Sequence, residues 1–357
     1  MNDDARTFLD ELLDTPSPTG FEREGQRVWV NNLRPHADTV ESDVYGTAWA
    51  VLEGSEKGTA PRIMLDAHVD EIGYMVKHIT DKGFLHVDRI GGSDRAIARA
   101  QRVRILTDNG PVSGVVGNTA IHLRDRDDDS VPKVHELFVD IGAESREDAK
   151  KRGIRVGLPM VFDVSPASLT EHRLTGRAID NRLGGFIIAQ VLKRLSENPP
   201  AATVIAANSV QEEIGGHGAK MVTHRLEPDV AVAFDVTHST DSPGIKKTEH
   251  GEINMGEGPT VTHGTSNHPA VVRRLMEVAD EQDISLQHEA SSRRTGTDTD
   301  SIFRSRSGVA SALVSVPLRY MHSTVEVVDL RDVEKCVDWL VAFCESIEAG
   351  DEFRAEL

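Results

Sequence analysis

Short apolar runs alternate along the chain with longer stretches in which apolar residues recur at helical spacing. The runs at 63–68, 203–210, 229–234 and 310–316 are bounded by polar or turn residues, and each predicts a buried strand. The amphipathic stretches predict helices at 5–13, 22–33, 183–195, 269–282 and 330–347. Strands that alternate with helices indicate an α/β fold with a mostly parallel central sheet and helices on both faces.

The pattern changes between Gly73 and Pro166. Segments such as 84–90 and 102–106 alternate apolar and polar residues and are separated by Gly, Asp and Asn turns, which is typical of short strands. At 357 residues the chain also exceeds what one compact core usually holds. We therefore expect an α/β domain formed by residues 1–73 and 165–357, with a small β domain, residues 74–164, inserted into it.

Composition narrows the range of partners. Lys and Arg total 40 against 58 Asp and Glu, and the resulting net charge of −18 disfavours nucleic acid and anionic membranes. The acidic amino terminus lacks the basic and apolar regions of a signal peptide, and no apolar stretch approaches the roughly 18 residues of a membrane span. The two cysteines, Cys336 and Cys344, would lie about 12 Å apart along one helix, too far to bridge. These features predict a cytoplasmic protein.

Imidazoles and carboxylates stand where the apolar runs end. Most of the set follows predicted strands, and one acid precedes a predicted helix; the residues are His68, Glu212, Glu213, Asp235, His322 and, before the helix, Asp180. Each alone is weak evidence, but a parallel sheet gathers the carboxyl ends of its strands along one rim. Zinc and cobalt favour imidazole nitrogen and carboxylate oxygen, and two adjacent ions need a shared carboxylate. The set therefore predicts a site for two divalent cations.

Two further features complete this chemistry. Asp70, two residues after His68, is placed to hydrogen-bond the second imidazole nitrogen and so fix its tautomer. The site needs only one of Glu212 and Glu213 as a ligand, which leaves the other free to act as a base.

Seven motifs span nearly the whole chain. In order they are Thr15-Pro-Ser-Pro-Thr-Gly-Phe-Glu22, Ala67-His-Val-Asp-Glu-Ile-Gly73, Ala178-Ile-Asp-Asn-Arg-Leu-Gly-Gly185, Gln211-Glu-Glu-Ile-Gly216, Asp235-Val-Thr-His238, Thr295-Gly-Thr-Asp298 and Arg319-Tyr-Met-His-Ser323. They resemble the ordered motifs of the tetrahedral (TET) dinuclear-metal aminopeptidases, which include the glutamyl and deblocking aminopeptidases. The resemblance implies a zinc-peptidase-like catalytic domain, an inserted β-barrel or PDZ-like domain that mediates dimerisation, and six dimers assembled into a dodecamer.

The resemblance also implies a role for each candidate residue. Asp180 would bridge two metal ions, His68 and Asp235 would complete one site, Glu213 and His322 the other, Glu212 would be the general base, and Asp70 would orient His68. A metal-activated water would attack the first peptide carbonyl of a peptide substrate and release the amino-terminal residue. Zinc or cobalt is the expected metal, and manganese also accepts these ligands.

Several alternatives stay open on the sequence alone. The same ligands on the same fold suit a metal-dependent deacylase or carboxypeptidase; an endoglucanase or a non-catalytic binding module is a weaker alternative. Asp298 either lines the substrate pocket or caps a helix, and His217 and His238 are expected in the pocket wall. Arg293, Arg294 and His288 favour an acidic substrate side chain unless they are solvated loop charges.

Overall fold

The computed structural model describes residues 1–123 and 130–355. Residues 124–129 of the predicted insertion, and 356–357 at the carboxyl end of the predicted α/β domain, lie outside this description. The described strands are β1 (Thr39–Ser42), β2 (Ala48–Leu52), β3 (Arg62–His68), β4 (Gly73–Ile79), β5 (Leu85–Ile90), β6 (Arg102–Thr107), β7 (Gly110–Val116), β8 (Phe138–Asp140), β9 (Pro159–Phe162), β10 (Ala167–Ser168), β11 (Arg173–Gly176), β12 (Thr203–Ser209), β13 (Val230–His238), β14 (Thr260–His263), β15 (Gln287–Ala290), β16 (Ala310–Arg319) and β17 (Glu326–Asp329).

The described helices include the five predicted from amphipathic stretches, and they add the ten-residue α6, which was not predicted, and several short helices. They are α1 (Asp3–Asp14), α2 (Arg23–Leu33), α3 (Arg95–Ala98), α4 (Arg146–Lys151), α5 (Ile179–Leu195), α6 (His217–Leu226), α7 (Lys247–His250), α8 (Pro269–Glu281), α9 (Thr299–Ile302) and α10 (Leu330–Glu345). Within the described ranges, no helix is both long and apolar enough to cross a membrane.

The central sheet has a parallel centre and antiparallel edges. Strands β12, β3, β13 and β16 lie side by side and pair in parallel, with Ser209 opposite His68 and Asp235 opposite Ser315. Antiparallel pairs extend the sheet through β2 and β1 on one side and through β17, β11 and β10 on the other. The predicted α/β class is confirmed, and the parallel pairing expected for most of the sheet is concentrated at the centre of a mixed sheet.

Helices cover both faces of this sheet. Along β3, Ile63 and Leu65 belong to the core that contains the buried faces of α1, α2, α5, α8 and α10. Met64, which points to the other face, belongs to a second core with Val222 of α6 and Ile302 of α9. The alternation of side chains along each strand therefore places one hydrophobic layer on either side of the sheet.

Strands β4 to β9 form a separate closed barrel, inserted in the sequence between β3 and β10. The six strands pair in the order β4-β5-β8-β7-β6-β9 and enclose their own apolar core, which includes Leu85, Ile105 and Val139. Because β4 begins five residues after His68 ends β3, the barrel is attached directly beside the rim of the central sheet.

Candidate active site

The parallel centre of the sheet delivers most of the predicted residues to one rim. His68 is the last residue of β3, Asp235 lies within β13, and the Glu212–Glu213 pair follows β12 after a short loop. The expectation that β13 ends before Asp235 is wrong: the strand continues to His238 because it stays paired with β16 up to Leu318. Asp235 therefore projects from a hydrogen-bonded strand rather than from a loop.

Asp180 reaches the same rim from the start of α5. Its dihedral angles and those of Asn181 are not helical, so regular helix begins only after them, and the Asp180–Asn181 peptide bond is cis. Gly184, one turn later, allows the close approach of α5 to the sheet, since an added Cβ would lie 2.5 Å from the Phe234 ring and 2.8 Å from Ala67. The amide of Asn181 also donates to the Phe234 carbonyl at 2.8 Å.

Five of the predicted residues form two clusters that share one carboxylate. In the first, the Nε2 atom of His68 lies 3.4 Å from Asp180 Oδ1 and 3.8 Å from Asp235 Oδ1. In the second, the Nε2 atom of His322 lies 3.3 Å from Asp180 Oδ2 and 3.5 Å from Glu213 Oε1. Glu212 belongs to neither triad, although its Oε2 lies 3.8 Å from His68 Nε2.

These separations fit divalent cations. A tetrahedral ion with bonds of about 2.0–2.1 Å holds neighbouring ligand atoms about 3.4 Å apart, close to the observed values. Glu213 Oε1 is buried without a hydrogen-bond donor, as expected for an atom that faces a cation. The two triads therefore have the ligand types, spacing and shared carboxylate that a pair of ions requires.

Burial and mutual repulsion set the electrostatics of the cluster. Burial raises the pKa of Glu212 to about 7, and burial together with the Asp180 charge raises the pKa of Glu213 well above its ordinary value. Burial likewise raises the pKa of Asp235. For His68, burial favours a lower pKa, but hydrogen bonding to Asp180 and Asp70 outweighs it and raises the pKa. Four carboxylates so close together are stabilised as anions by adjacent positive charge.

Asp70 is tied to His68 and also to both glutamates. The Nδ1 atom of His68 lies 3.2 Å from the backbone carbonyl of Asp70 and 3.5 Å from its carboxylate. That carboxylate accepts hydrogen bonds from the backbone N–H groups of Glu212 and Glu213 at 3.0 and 3.2 Å, and from the Thr19 hydroxyl at 2.8 Å. Asp70 thus holds the backbone of the glutamate pair, a contact that spacing alone could not predict.

Comparison with known proteins identifies the family. The profile of the M42 glutamyl aminopeptidases matches residues 46–339 of this chain. The chain belongs to the M42 family. The family resemblance predicted from the seven motifs is thereby confirmed.

Proteins with similar sequences and solved structures with a similar fold agree with this family assignment. Lysyl aminopeptidase from Pyrococcus furiosus is 36% identical over 349 residues, covering 96% of this chain and 98% of that protein. The aminopeptidase APDkam598 from Desulfurococcus kamchatkensis superposes with a TM-score of 0.90 at 36% identity, covering 96% of this chain and 95% of that one. The TET1 peptidase of Pyrococcus horikoshii, described as assembling into a tetrahedron or an octahedral shell, superposes with a TM-score of 0.84 at 29% identity, covering 96% and 99%. An aminopeptidase of a metallopeptidase family is thus supported over a deacylase, carboxypeptidase or endoglucanase.

Glu326 is a buried residue of this M42 peptidase that the sequence reasoning missed. Its Oε2 accepts from the backbone N–H groups of Ile179 and Asp180 at 2.8 and 3.2 Å, and its Oε1 accepts from the N–H of His322 at 2.8 Å. One carboxylate therefore holds the backbone of the shared aspartate and of a histidine in the second triad. Its position four residues after His322 in the last motif was the available signal.

The barrel also contributes to the M42 site. Gly92, just after β5, packs so closely on His322 that an added Cβ would lie 2.6 Å from Nδ1 of the imidazole. A hydrogen bond from His322 to the Gly92 backbone is among the interactions that raise the pKa of this histidine against the effect of burial. The barrel thus supplies part of the wall against which His322, a candidate ligand, packs.

A cleft of about 580 Å³ opens onto the two triads of this peptidase. Its charged lining beyond the triads comprises Glu212, Glu289, Arg294, Asp300 and Arg304. His238 lines the cleft as expected, whereas His217, the exposed first residue of α6, does not.

The remaining candidates divide between cleft, surface and core. Arg294 lines the cleft, but His288 instead lies against His263, with ring nitrogens 2.9 Å apart. Asp298 makes no capping hydrogen bond to α9 and is buried with neither carboxylate oxygen hydrogen-bonded. Burial and the nearby Asp66 charge raise its pKa. Its side chain does not cap α9, and Asp298 is not among the residues that line the cleft.

Proposed function

We propose that this aminopeptidase binds two divalent metal ions, one held by His68, Asp180 and Asp235 and the other by Asp180, Glu213 and His322. The main support for the proposal is the position of the Asp180 carboxylate between the two triads. Its Oδ1 lies 3.4 Å from Nε2 of His68, and its Oδ2 lies 3.3 Å from Nε2 of His322. Two such ions, when bound, act as Lewis acids toward a carbonyl and make water more acidic.

Glu212 is proposed as the general base. Its carboxylate is outside both triads, lines the cleft, and lies 3.8 Å from His68 Nε2. From this position it accepts a proton from the attacking water and delivers it to the amine that leaves when the first peptide bond breaks. Asp70 keeps Glu212 in place through its backbone N–H.

The remaining residues orient and confine the reaction. Glu326 and Asp70 hold the backbone at four of the site residues, and Gly92 fixes the imidazole of His322. The acidic cleft suits the free ammonium group of a peptide, since charge-assisted hydrogen bonds from it to carboxylates are strong. Binding of that group near the triads supports removal of residues from the amino terminus.

The proposal also covers the identity of the metal ions and the oligomeric assembly of the chain. Zinc and cobalt fit two imidazoles and three carboxylates, and manganese also accepts these ligands. The proposal includes a dodecamer built from dimers, with the barrel at the dimer interface. The tetrahedral assembly described for the P. horikoshii peptidase supports a large closed oligomer. The cytoplasmic location predicted from the sequence stays a prediction.

Chelation followed by metal replacement tests the proposed function. The protein is dialysed against a chelator, zinc, cobalt or manganese is added back, and hydrolysis of aminoacyl p-nitroanilides is measured. We expect activity to disappear with the metal and to return with at least one ion, and Glu212→Gln to lower kcat by about 100-fold or more. The matched control is Glu281→Gln, at an exposed glutamate that ends α8. No hydrolysis with any of the ions would contradict the proposal.

A further inference from the structure

Membership of the M42 family does not determine which amino-terminal residue is removed, so that preference has to come from the side chains that line the cleft. One acid in its wall, Glu289 of β15, is held by two hydroxyl groups. Thr237 donates to its Oε1 at 2.9 Å and Thr262 donates to its Oε2 at 3.4 Å. Thr262 lies directly opposite Glu289 on the neighbouring strand β14. The half-buried carboxylate is thus fixed in place by two strands of the sheet.

Glu289 keeps unused hydrogen-bonding capacity. A carboxylate offers about four acceptor positions, and the two threonines use one on each oxygen. Across the parts of the chain that the structure describes, no lysine, arginine or histidine forms an ion pair with Glu289, whereas many other acids are paired. A partly desolvated carboxylate without a cation gains from a ligand that brings one.

The other charged side chains in the cleft wall either form hydrogen bonds within the protein or are exposed to solvent. Asp300 accepts from the Ser266 hydroxyl and from the backbone N–H groups of Thr295 and Gly296, at 3.0, 3.2 and 3.0 Å, so it holds the loop beside it. Arg304 donates to the backbone carbonyl of Asp300 at 2.6 Å and is exposed, and Arg294 is also exposed. Water screens exposed charges more than half-buried ones, so the two arginines act weakly. Asp300 is occupied with its loop, which leaves Glu289 as the half-buried cleft acid with acceptor positions open to a ligand.

The distance from the triads suits a long side chain. Thr237 lies two residues after Asp235 on β13, on the same face of the strand, which places the two about 7 Å apart. Since Thr237 bonds Glu289, the free carboxylate lies beyond that distance along the rim. A lysine side chain extends about 6 Å from Cα to its ammonium group, and a hydrogen bond spans about 3 Å more. A first residue bound at the triads therefore has the length to bring its charged end into contact with Glu289.

We propose that Glu289 selects peptides whose first residue is lysine or arginine by pairing with the cationic end of that side chain. The inference rests on the proposed function, because the substrate must be bound with its first carbonyl at the triads. It is opposite to the acidic preference that Arg293, Arg294 and His288 would give if they were not solvated loop charges.

Paired substrates test the inference. The metal-loaded protein is assayed with the p-nitroanilides of lysine and norleucine, which have the same chain and differ in the terminal ammonium group. We expect kcat/KM to be about tenfold or more higher for lysine, and the advantage to shrink at high salt. This comparison needs no variant, so it is independent of folding effects.

The variant Glu289→Gln then tests whether the charge of Glu289 causes the preference for lysine. It keeps the shape of the side chain and removes the charge, and we expect the ratio of kcat/KM for lysine over norleucine to fall about tenfold. Glu281→Gln, at an exposed position of α8, is the control and should keep the wild-type ratio. Thermal melting confirms that both variants fold.

The outcomes separate the inference from the function. A lysine-to-norleucine ratio near one, or a ratio that Glu289→Gln leaves unchanged, would contradict the selection by Glu289 while leaving an aminopeptidase. A preference for the glutamyl substrate that Arg294→Gln removes would assign selection to the arginine and overturn the inference. Failure to hydrolyse every aminoacyl substrate with every metal would defeat the proposed function itself.

Discussion

Gly92 of the barrel lies directly against the imidazole of His322 in the catalytic rim, with its missing Cβ 2.6 Å from Nδ1. Gly92→Ala is therefore expected to displace the ring and weaken metal binding at the second triad by about 10-fold to 100-fold. Isothermal titration of the chelated protein with zinc measures the effect. Gly176→Ala is the control, because there a methyl group makes only ordinary contacts of 3.4 Å or longer. Equal affinity in the two variants would contradict the role of Gly92.

Glu326 is expected to act through the backbone that it holds. Glu326→Gln replaces one of the two accepting oxygens by an NH2 group that cannot accept from the N–H of Asp180 or His322, so metal affinity should fall by about 10-fold to 100-fold. Metal content after dialysis at a fixed free zinc concentration measures this directly, apart from activity. Glu345→Gln, at an exposed residue of α10, is the matched control. Wild-type metal content in Glu326→Gln would rule out this positioning role.

Buried Glu71 joins two buried arginines, Arg177 and Arg182, to the amino-terminal segment. It pairs with both and accepts from the Ser17 backbone N–H at 2.9 Å, while the arginines donate to carbonyls at the end of α1. Glu71→Gln leaves two buried cations without a counter-charge, and we expect the free energy of unfolding to fall by about 3–5 kcal/mol. Urea denaturation measures the free energy of unfolding, with Glu24→Gln on the exposed surface of α2 as the control. A decrease in Glu71→Gln no larger than that in the control would contradict the prediction.

The ion pair between Asp241 and Arg319 gives a pH-dependent prediction. Two contacts of 2.7 and 2.6 Å join them, and the hydrogen bond from Arg319 lowers the pKa of Asp241 from an ordinary 3.8 to about 2. A lowered pKa means that the stabilisation is complete above pH 3.8 and is lost as the pH falls through about 2.

Asp241→Asn should accordingly lower the free energy of unfolding by about 1 kcal/mol at pH 7, because the pair is partly exposed. The difference from wild type should narrow as the pH falls below about 4. Urea denaturation from pH 7 to pH 3 follows it, with Asp280→Asn on the exposed face of α8 as control. A difference that stays constant over this range would contradict the assigned pKa.

Sequence reasoning located the rim because strand ends carry a local signal. His68, Asp235 and the Glu212–Glu213 pair each follow or end an apolar run, and parallel pairing of β12, β3 and β13 brings such ends together. Asp180 was found from its glycine-marked helix. The length of β13 was underestimated because its last residues, including Thr237 and His238, are polar, while pairing with β16 extends the strand through them.

The backbone contacts that support the site could not be found in the same way, although Asp70 itself was predicted as the partner of His68. Glu326 and Asp70 act on backbone N–H groups of residues that are distant in sequence or across a turn, and backbone acceptors have no residue-type pattern. Gly92 matters for the side chain it lacks, and its partner comes from another domain. Glu289 lies on β15, at the end of a branch of the sheet that periodicity did not predict.

Because Gly92 packs on His322, the barrel cannot be removed without changing the catalytic rim of the central sheet. Excising residues 74–164 to obtain a smaller enzyme would remove the Gly92 backbone as well as the barrel, so the truncated chain would lose a support of its own reaction centre. Redesign of this scaffold has to preserve the junction after β5 even when the rest of the insertion is exchanged.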